Sequence, residues 1–261
     1  MSHFTQPVSD YMTREVESVG PDDLLPEVVR ILERFNISAV PVVERGELVG
    51  VVSRTDLLHV GRRNAATARR APSLLVPSHR VHGLMKRSPL VVAPQTPLAT
   101  AARAMARARV HRIFVVENGA GVVGVLSTAD LAAAVRDARV ETPISVVMSS
   151  PLLTIKTSDP LSLADQRLEH AHVTGLVVVE DDWPVGLFSQ VEALASRDLP
   201  RDTRVDDVFE QALICLPDST RIHRAAAFAA RLDVRRVVAC RQREAVGIVS
   251  GLDFARVVAG P

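Results

Sequence analysis

A seven-residue pattern that places a hydroxyl and a carboxylate at fixed spacing occurs four times in the chain. It consists of a glycine, two apolar residues, a serine, two variable residues and an acidic residue. A carboxylate offers two acceptor oxygens, which suit a vicinal diol such as the 2′- and 3′-hydroxyls of a ribose. The four copies begin at Gly50, Gly124, Gly186 and Gly247 and end at Asp56, Asp130, Glu192 and Asp253.

The position of the pattern, where a strand turns into a helix, allows two interpretations. A new helix presents free N–H groups and the positive end of its dipole, which attract a phosphate. The glycine permits close approach of a backbone. The serine and the acid can equally be caps of the helix, without any ligand. Both interpretations stay open at this point, because caps repeat as readily as binding sites.

Each copy of the pattern ends a longer repeated unit. A short opening segment, an amphipathic helix and a continuous β-branched strand precede every glycine, and the glycines are 74, 62 and 61 residues apart. Such apolar runs are typical of strands buried on both faces. The strands are predicted at 39–43, 113–116, 176–179 and 237–240, the opening segments at 10–13, 83–86, 146–149 and 207–210, and the helix N-caps at Asp22-Asp23, Thr96, Asp159 and Asp218-Ser219.

The repeat predicts an α/β (α+β) fold of four βαββα motifs. A motif of about 55 residues buries too little apolar surface to be stable alone, so we expect the motifs to pair sheet to sheet. This gives a first module at 1–137 and a second at 140–261. The predicted segments are motif 1 at 1–61, a basic linker at 62–80, motif 2 at 81–137, motif 3 at 140–198 and motif 4 at 201–261.

Composition favours an intracellular protein without a membrane span. The first ten residues lack the apolar core of a signal peptide, and no apolar run approaches the length of about 20 residues that a membrane helix needs. We therefore expect a cytoplasmic location. The two cysteines, Cys215 and Cys240, provide no disulfide framework and are expected to be buried, inert thiols.

The charges are distributed unevenly along the chain. Residues 57–116 contain no Asp or Glu but eleven Lys or Arg residues, a stretch whose field would attract a polyanion. A solvated face with a flexible basic linker is the alternative interpretation. Residues 61–80 contain five arginines but no aromatic side chain for base stacking, so we do not expect nucleic acid as a partner.

Sequence signatures of catalysis are absent. The chain has no G-x-x-x-x-G-K-S/T loop, no G-x-S-x-G elbow and no C-x-x-C pair. The close pairs His79/His82 and His170/His172 lack the carboxylate or cysteine partners of a metal site. We expect no catalytic residues, no metal site and no obligatory cofactor.

With its four patterns in register, the chain resembles the CBS domain family over nearly its whole length. The resemblance implies motifs that pair into modules, two modules that can assemble into a flat disc, no catalytic activity, and clefts that bind adenosine compounds. The segment Val110-His111-Arg112 is similar to the one whose His and Arg reach phosphates in the nucleotide-sensing subunit of AMP-activated protein kinase. Arg235 and Arg236 stand at the same place in motif 4, so the expected ligand is AMP, ADP or ATP.

The resemblance also implies which residues line three clefts. The first would join Glu17, Val19, Ile37 and Ser38 to Val125, Ser127 and Asp130. The second would join Val92, Val110, His111 and Arg112 to Val51, Ser53 and Asp56, and Thr55 is a further candidate ligand-binding residue. The third would join Ile155, Val173 and Thr174 to Ile248, Ser250 and Asp253. Motif 3 departs from the family, because Glu192 replaces the expected Asp, and the cleft that depends on it is predicted to be weak or empty.

The function expected from these residues is that of a non-enzymatic regulator. Nucleotide binding would signal energy state to an unidentified effector protein, and the exposed faces of the modules suggest a homodimer. The alternatives are a constitutive scaffold with degenerate clefts and a sensor of S-adenosylmethionine or a dinucleotide. The sequence leaves open the ligand, the number of occupied clefts, the effector, the choice between an internal disc and a dimer, and the role of the linker.

Overall fold

The computed structural model describes residues 4–63, 74–117, 121–171, 173, 175–242 and 244–260. Its α-helices are α1 (Leu25–Arg34), α2 (Arg54–Val60), α3 (Leu98–Ala108), α4 (Thr128–Asp137), α5 (Ile144–Val147), α6 (Leu161–His170), α7 (Gln190–Ala195), α8 (Ile222–Arg231) and α9 (Gly251–Ala259). Its strands are β1 (Ala39–Glu44), β2 (Glu47–Ser53), β3 (Arg62–Arg63), β4 (Leu74–Leu75), β5 (Lys86–Arg87), β6 (Val91–Val92), β7 (Arg112–Glu117), β8 (Gly121–Ser127), β9 (Thr154–Lys156), β10 (Gly175–Glu180), β11 (Trp183–Ser189), β12 (Ile214–Pro217), β13 (Arg236–Arg241) and β14 (Glu244–Ser250).

The strand register confirms the repeat and the mixed α/β fold. In motifs 1, 3 and 4 the serine of the repeated pattern lies opposite the first residue of the preceding strand, and the antiparallel register then shifts at one bulge. The opposed pairs are Ala39 with Ser53, Gly175 with Ser189, and Arg236 with Ser250. A helix follows each serine directly, so the hydroxyl and the acid lie at a strand-to-helix junction, as the pattern predicts.

Paired motifs exchange their opening segments. Strand β5, which opens motif 2, pairs with β2 of motif 1, and Thr13 of motif 1 bridges Val125 of motif 2. In the other pair, Ser149 of motif 3 bridges Ile248 of motif 4, and Glu210 of motif 4 bridges Leu187 of motif 3. Each opening segment therefore completes the sheet of the partner motif. The sequence predicted these segments but gave no sign of the exchange.

The same exchange caps the first helix of every motif, which corrects the predicted N-caps. The helices begin after Leu24, Pro97, Pro160 and Arg221, and none of these residues makes a side-chain cap. A backbone carbonyl from the partner's opening region instead accepts the first helical N–H. The pairs are Leu25 with His79 (2.9 Å), Leu98 with Gln6 (2.8 Å), Leu161 with Thr203 (2.9 Å) and Ile222 with Thr142 (2.8 Å). The predicted acidic caps Asp23 and Asp159 bind Gly20 and Lys156 in the preceding turns.

Close packing in the exchange explains the repeated glycine. A Cβ at Gly50 would lie 2.8 Å from Met85 Sδ and 3.1 Å from the carbonyl oxygen of Lys86. The other three glycines face an opening segment in the same way: Gly124 faces Met12, Gly186 faces Phe209, and Gly247 faces Met148. The large apolar residue of one motif thus occupies the space that a side chain would take in its partner. The glycine accommodates another part of the protein, so close approach of a ligand is not needed to explain it.

Contacts group the chain into two compact units. The first comprises Met1–Tyr11, Gln95–Arg112 and Leu126–Pro261, and the second comprises Met12–Pro94 and Ile113–Val125. The core of the second unit forms where buried residues of α1, among them Leu25 and Leu32, pack with Val40, Val42 and Val52 of β1 and β2. The predicted modules at 1–137 and 140–261 stay a prediction.

Two sets of contacts between motifs occur within the first unit. Val177, Val179 and Leu187 of motif 3 form an apolar cluster with Val238 of motif 4, which is the expected sheet-to-sheet pairing. In the same unit, α3 and α4 of motif 2 pack against α8 and α9 of motif 4. Gly251, the first residue of α9, lies so close to the Thr128 side chain that a Cβ there would clash with it. The N-termini of α4 and α9 therefore meet.

The two cysteines are neighbours in the first unit. Cys215 and Cys240 are half-buried neighbours beside the sheet cluster, and burial together with the nearby Cys240 raises the pKa of Cys215 to about 12. Both the raised pKa and the packing agree with unreactive thiols.

Strands β3 and β4 pair antiparallel at the ends of the basic linker, and residues 64–73 lie outside the described residues.

The Gly50–Met85 contact predicts a coupled effect on stability. Gly50→Ala should lower the free energy of unfolding by about 1–3 kcal/mol, because the added methyl overpacks a site that includes fixed backbone. Gly50→Ala with Met85→Ala should cost less than the sum of the two single changes, since the truncated side chain frees space. Denaturant unfolding of the full chain measures both. Gly83→Ala is the control, because nothing lies within 4 Å of that Cβ position. Strict additivity would contradict the packing explanation.

Candidate functional site

In all four motifs the serine and the acid form a capping box. The serine backbone N–H and hydroxyl both lie within hydrogen-bond distance of one oxygen of the acid three residues later. For Ser127 the two distances to Asp130 Oδ2 are both 2.7 Å, and the longer Glu192 side chain still reaches the Ser189 N–H at 2.9 Å. The serine and the acid therefore cap the helix in every copy. Any ligand must be bound by the other carboxylate oxygen.

Two of the acids have the second oxygen occupied by protein. Asp56 Oδ1 lies 2.7 Å from the Lys86 ammonium, and the Asp56 side chain is only 6% exposed. Asp253 Oδ1 accepts hydrogen bonds from Arg256 (2.7 Å) and Ser149 (3.1 Å), and its side chain has no exposure at all. Both carboxylates are thus fully engaged in this conformation.

Asp130 differs from these two acids. Its side chain is half-buried, and among the described residues no cation and no donor of another residue lies at its Oδ1. Burial raises the pKa of Asp130, although hydrogen bonds from Ser127 oppose the rise. At Asp56 burial acts in the same direction, but the hydrogen bonds from Lys86 and Ser53 prevail and lower the pKa. Asp130 is therefore the aspartate of the pattern that retains acceptor capacity for a ligand.

Three arginines and a histidine converge near the start of α4. The His111 carbonyl accepts a hydrogen bond from Thr128 N–H at 3.0 Å, which places His111 and Arg112 beside the N-terminus of that helix. In motif 4, Arg236 lies opposite Ser250 and so flanks the N-terminus of α9. Because Thr128 and Gly251 are in contact, the two helix starts bring these residues together. The cationic cluster consists of His111, Arg112, Arg235 and Arg236.

The electrostatics of the cationic cluster show that its members repel one another. Partial removal from water lowers the pKa of His111, and the charges of Arg236, Arg112 and Arg235 lower it further. Burial and the charge of Arg235 lower the pKa of Arg112 to about 10. Concentrated like charge of this kind is typical of functional sites, because a bound anion relieves the repulsion. Two helix N-termini add to the attraction for an anion.

Arg236 also reaches motif 3. Its guanidinium lies against Gly175, where a Cβ would be 3.5 Å from both Cζ and a terminal nitrogen. Burial lowers the pKa of Arg236, and the charge of Glu192 opposes that effect. Glu192 is thus within electrostatic range of an arginine of the partner motif. The prediction that the Glu192 cleft is weak stays a prediction, with this protein cation as its physical reason.

The remaining predicted site residues vary in accessibility. Val19 is buried in the core of the second unit and Ile155 in that of motif 3, so neither side chain offers a surface to a ligand in this conformation. Ser38 and Ile37 accept hydrogen bonds from Arg54 through their carbonyls. Glu17 is exposed, Thr174 lies outside the described residues, and the following are half-buried: Val51, Ser53, Thr55, Val92, Val110, Val125, Val173, Ile248 and Ser250. The three clefts stay predictions.

The sequence interpretation missed Lys86 and Ser149. Both directly follow the methionine of an opening segment, and each contacts the acid of the partner motif. Alignment of the four repeats places Thr13, Lys86, Ser149 and Glu210 at this same position. The signal was therefore present, but its meaning depends on the exchange of opening segments.

The described residues contain neither a metal-binding cluster nor a membrane-spanning helix. Among them no group of three or more His, Cys, Asp or Glu side chains is arranged to hold a metal ion. No helix in the same ranges is long and apolar enough to cross a membrane.

Comparisons with known proteins agree with the geometry. The family model described as "CBS domain" matches residues 8–63, 81–137 and 144–196. An uncharacterized protein of Methanocaldococcus jannaschii is 24% identical over 276 residues, covering 97% of this chain and 62% of the relative. A second uncharacterized protein of that organism is 30% identical over 126 residues, covering 48% of this chain and 42% of the relative. The chain thus spans less than two thirds of these curated relatives.

Two solved structures share the fold across nearly the whole chain. One, from Methanocaldococcus jannaschii, is described as a proposed archaeal homologue of γ-AMPK, with a TM-score of 0.75 and 12% identity over 95% of this chain and 98% of that one. The other is an uncharacterized conserved protein from Pyrococcus horikoshii, with a TM-score of 0.68 and 21% identity over 97% and 99% of the two chains. At these identities the similarity establishes the fold alone.

The contrast between Asp56 and Asp130 predicts unequal effects of the same substitution. Asp56→Asn should lower the free energy of unfolding by about 1–3 kcal/mol, because it removes a charged hydrogen bond to a buried carboxylate. Asp130→Asn should cost less, since burial already disfavours the charge and the amide oxygen still accepts from Ser127. Urea unfolding measures both, with Asp182→Asn in an exposed turn as the control. Equal losses at the two sites would argue against the assigned difference.

His111 predicts a pH dependence of stability. Its folded pKa lies below the ordinary value of 6.5, so in that window the unfolded chain binds a proton that the folded chain does not. The contribution of His111 to the stability of the folded state therefore falls as the pH drops below about 6.5. His111→Gln removes this contribution. The stability of the variant minus that of the native chain should therefore be larger at about pH 5 than at about pH 7.5. Urea unfolding at both pH values tests this, and a constant difference would contradict it.

Proposed function

The chain belongs to the CBS domain family, and on that premise we propose that it is a non-catalytic regulator that binds an adenine nucleotide. The cationic cluster beside the first turn of α4 is the observation that carries the proposal. Asp130 supplies the acceptor for the ribose diol, and the cluster receives the phosphate groups. The family match indicates a regulatory module, and the sequence contains no G-x-x-x-x-G-K-S/T loop, no G-x-S-x-G elbow and no C-x-x-C pair.

The chemistry of Asp130 suits a ribose. Its Oδ2 is used by Ser127 N–H and hydroxyl, which fixes the orientation of the carboxylate. Oδ1 then remains to accept hydrogen bonds from one or both hydroxyls of a diol. A half-buried carboxylate makes stronger hydrogen bonds than one in bulk water, because the local dielectric constant is lower. Preorganisation by the capping box reduces the entropy that binding would otherwise lose.

The chemistry of the cationic cluster suits a phosphate. Arginine presents a planar fork of donors that matches phosphate oxygens. A phosphate monoester carries a charge of about −1.5 to −2 near pH 7, enough to offset much of the repulsion among these side chains. S-adenosylmethionine has no phosphate and carries a positive sulfonium, so the cluster favours AMP, ADP or ATP over it.

The origin of the cationic cluster suggests how a ligand regulates. His111 and Arg112 belong to motif 2, whereas Arg235 and Arg236 belong to motif 4. An anion bound between them draws together two motifs that otherwise repel at this point. The ligand therefore favours conformations in which α4 and α9 are closely packed, and a partner protein that distinguishes such conformations would detect the nucleotide. The identity of that effector, a cytoplasmic location and a homodimer stay predictions.

Calorimetric titration of nucleotide-stripped full-length protein with AMP, ADP, ATP, adenosine and S-adenosylmethionine tests the proposal. Asp130→Ala should weaken every adenosine compound that binds by about ten-fold or more, since charged hydrogen bonds contribute about 1.5–3 kcal/mol. Arg235→Gln with Arg236→Gln should weaken the nucleotides but leave adenosine unchanged. Arg231→Gln, an exposed residue at the end of α8, is the matched control. If none of the five compounds binds at millimolar concentration, the proposal of an adenine-nucleotide sensor is wrong.

A further inference from the structure

Lys86 stands at the position that a ligand of Asp56 would need. Its ammonium lies 2.7 Å from Asp56 Oδ1, while Ser53 already occupies Oδ2. At Asp130 the equivalent oxygen is the one proposed to accept the ribose diol. One motif therefore holds an internal cation where another holds open acceptor capacity.

The placement of Lys86 follows from the exchanged opening segment. Strand β5 pairs with β2 so that Lys86 lies opposite Val51, a residue of the second predicted cleft. Met85, directly before it, packs over Gly50 and anchors the strand. The backbone of Lys86 is thus held against β2, and its side chain needs only to extend to reach Asp56. The contact is built into the pairing of motifs 1 and 2.

We propose that Lys86 is an internal occupant of the Asp56 site and closes it to adenine nucleotides. This inference rests on the proposed function, because a ribose diol is the group that Lys86 excludes. The four acids of the repeat then have different roles. Asp130 binds nucleotide, and Asp56 is paired with Lys86. Asp253 has its second oxygen occupied by Ser149 and Arg256, and Glu192 lies within electrostatic range of Arg236.

The burial of the pair explains why the lock holds. The Asp56 side chain is 6% exposed, so removal of its cation leaves a buried carboxylate with its Ser53 hydrogen bonds but without an opposite charge beside it. Two neutral hydroxyls of a ribose replace an ammonium poorly, because they bring no opposite charge. Lys86 itself is 69% exposed, so its ammonium remains accessible from solvent. A change that removes this one charge should therefore unlock the site without rebuilding it.

Asp253 provides the contrast. Its second oxygen binds both Ser149 and Arg256, and no part of its side chain is exposed. Substitution of either partner alone leaves the other in place and the carboxylate enclosed. Among the acids of the pattern, Asp56 is thus the one whose closure depends on a single side chain from the partner motif.

The experiment counts AMP sites on the full chain by equilibrium dialysis with radiolabelled AMP. The native chain should bind one AMP, lost in Asp130→Asn. Lys86→Met keeps a long, flexible side chain but removes the charge, and it should bind a second AMP that Asp56→Asn removes again. Lys86→Gln, which retains a hydrogen-bond donor, is the second variant should the methionine variant unfold. Arg87→Met is the matched control, because it alters the exposed neighbour of Lys86 in β5. This variant should bind one AMP.

The outcomes separate this inference from the proposed function. One AMP in the native chain and one in both Lys86 variants would overturn the lock and leave the proposed function standing. Two sites in the native chain, one of them removed by Asp56→Asn, would also overturn the lock and leave the proposed function standing. No binding by the native chain but one site in Lys86→Met would reject Asp130 as the binding site and support the lock. No binding by any variant would reject both.

Discussion

The exchange of opening segments between paired motifs is the constraint on which the rest of this structure depends. Each opening segment contributes a strand or a β-bridge to the partner's sheet and a large apolar side chain over the partner's glycine, and a residue shortly before it contributes a backbone carbonyl to the partner's first helix. A buried helix start without such a carbonyl would leave donors unsatisfied, at a cost comparable to lost hydrogen bonds. The exchange thus satisfies both polar and packing requirements, and it brings Lys86 and Ser149 to the acids of the repeat.

The fold was largely predictable because its signals are local and repeated. The β-branched runs correspond to β1, β7, β10 and β13 to within one or two residues. The N-caps were predicted wrongly at residues such as Asp23 and Asp159, because side-chain propensity was the only capping signal in the sequence. In the folded chain, carbonyls of His79 and Thr203 accept those N–H groups across 54 and 42 residues of sequence. Contacts of that range leave no local signature.

The candidate site was predictable in its residue types but not in its state. The seven-residue pattern identified the acids, and the similarity of Val110-His111-Arg112 to a known segment identified two members of the cationic cluster. Whether each acid is available depends on neighbours such as Lys86, Ser149 and Arg256, of which only Arg256 is close in sequence. Four nearly identical patterns therefore have different electrostatic surroundings, which only the three-dimensional arrangement reveals.

The exchanged segments also restrict how such a chain can evolve. If one motif of a pair were deleted, its partner would lose the strand that covers an edge of its sheet, and that edge would become a template for aggregation. Gene duplication or loss is therefore expected to act on whole pairs, which keeps the number of motifs even. Within a pair, each motif can still change its acid or the residue after the opening methionine. New ligand preferences can thus arise in one motif without any change in the architecture.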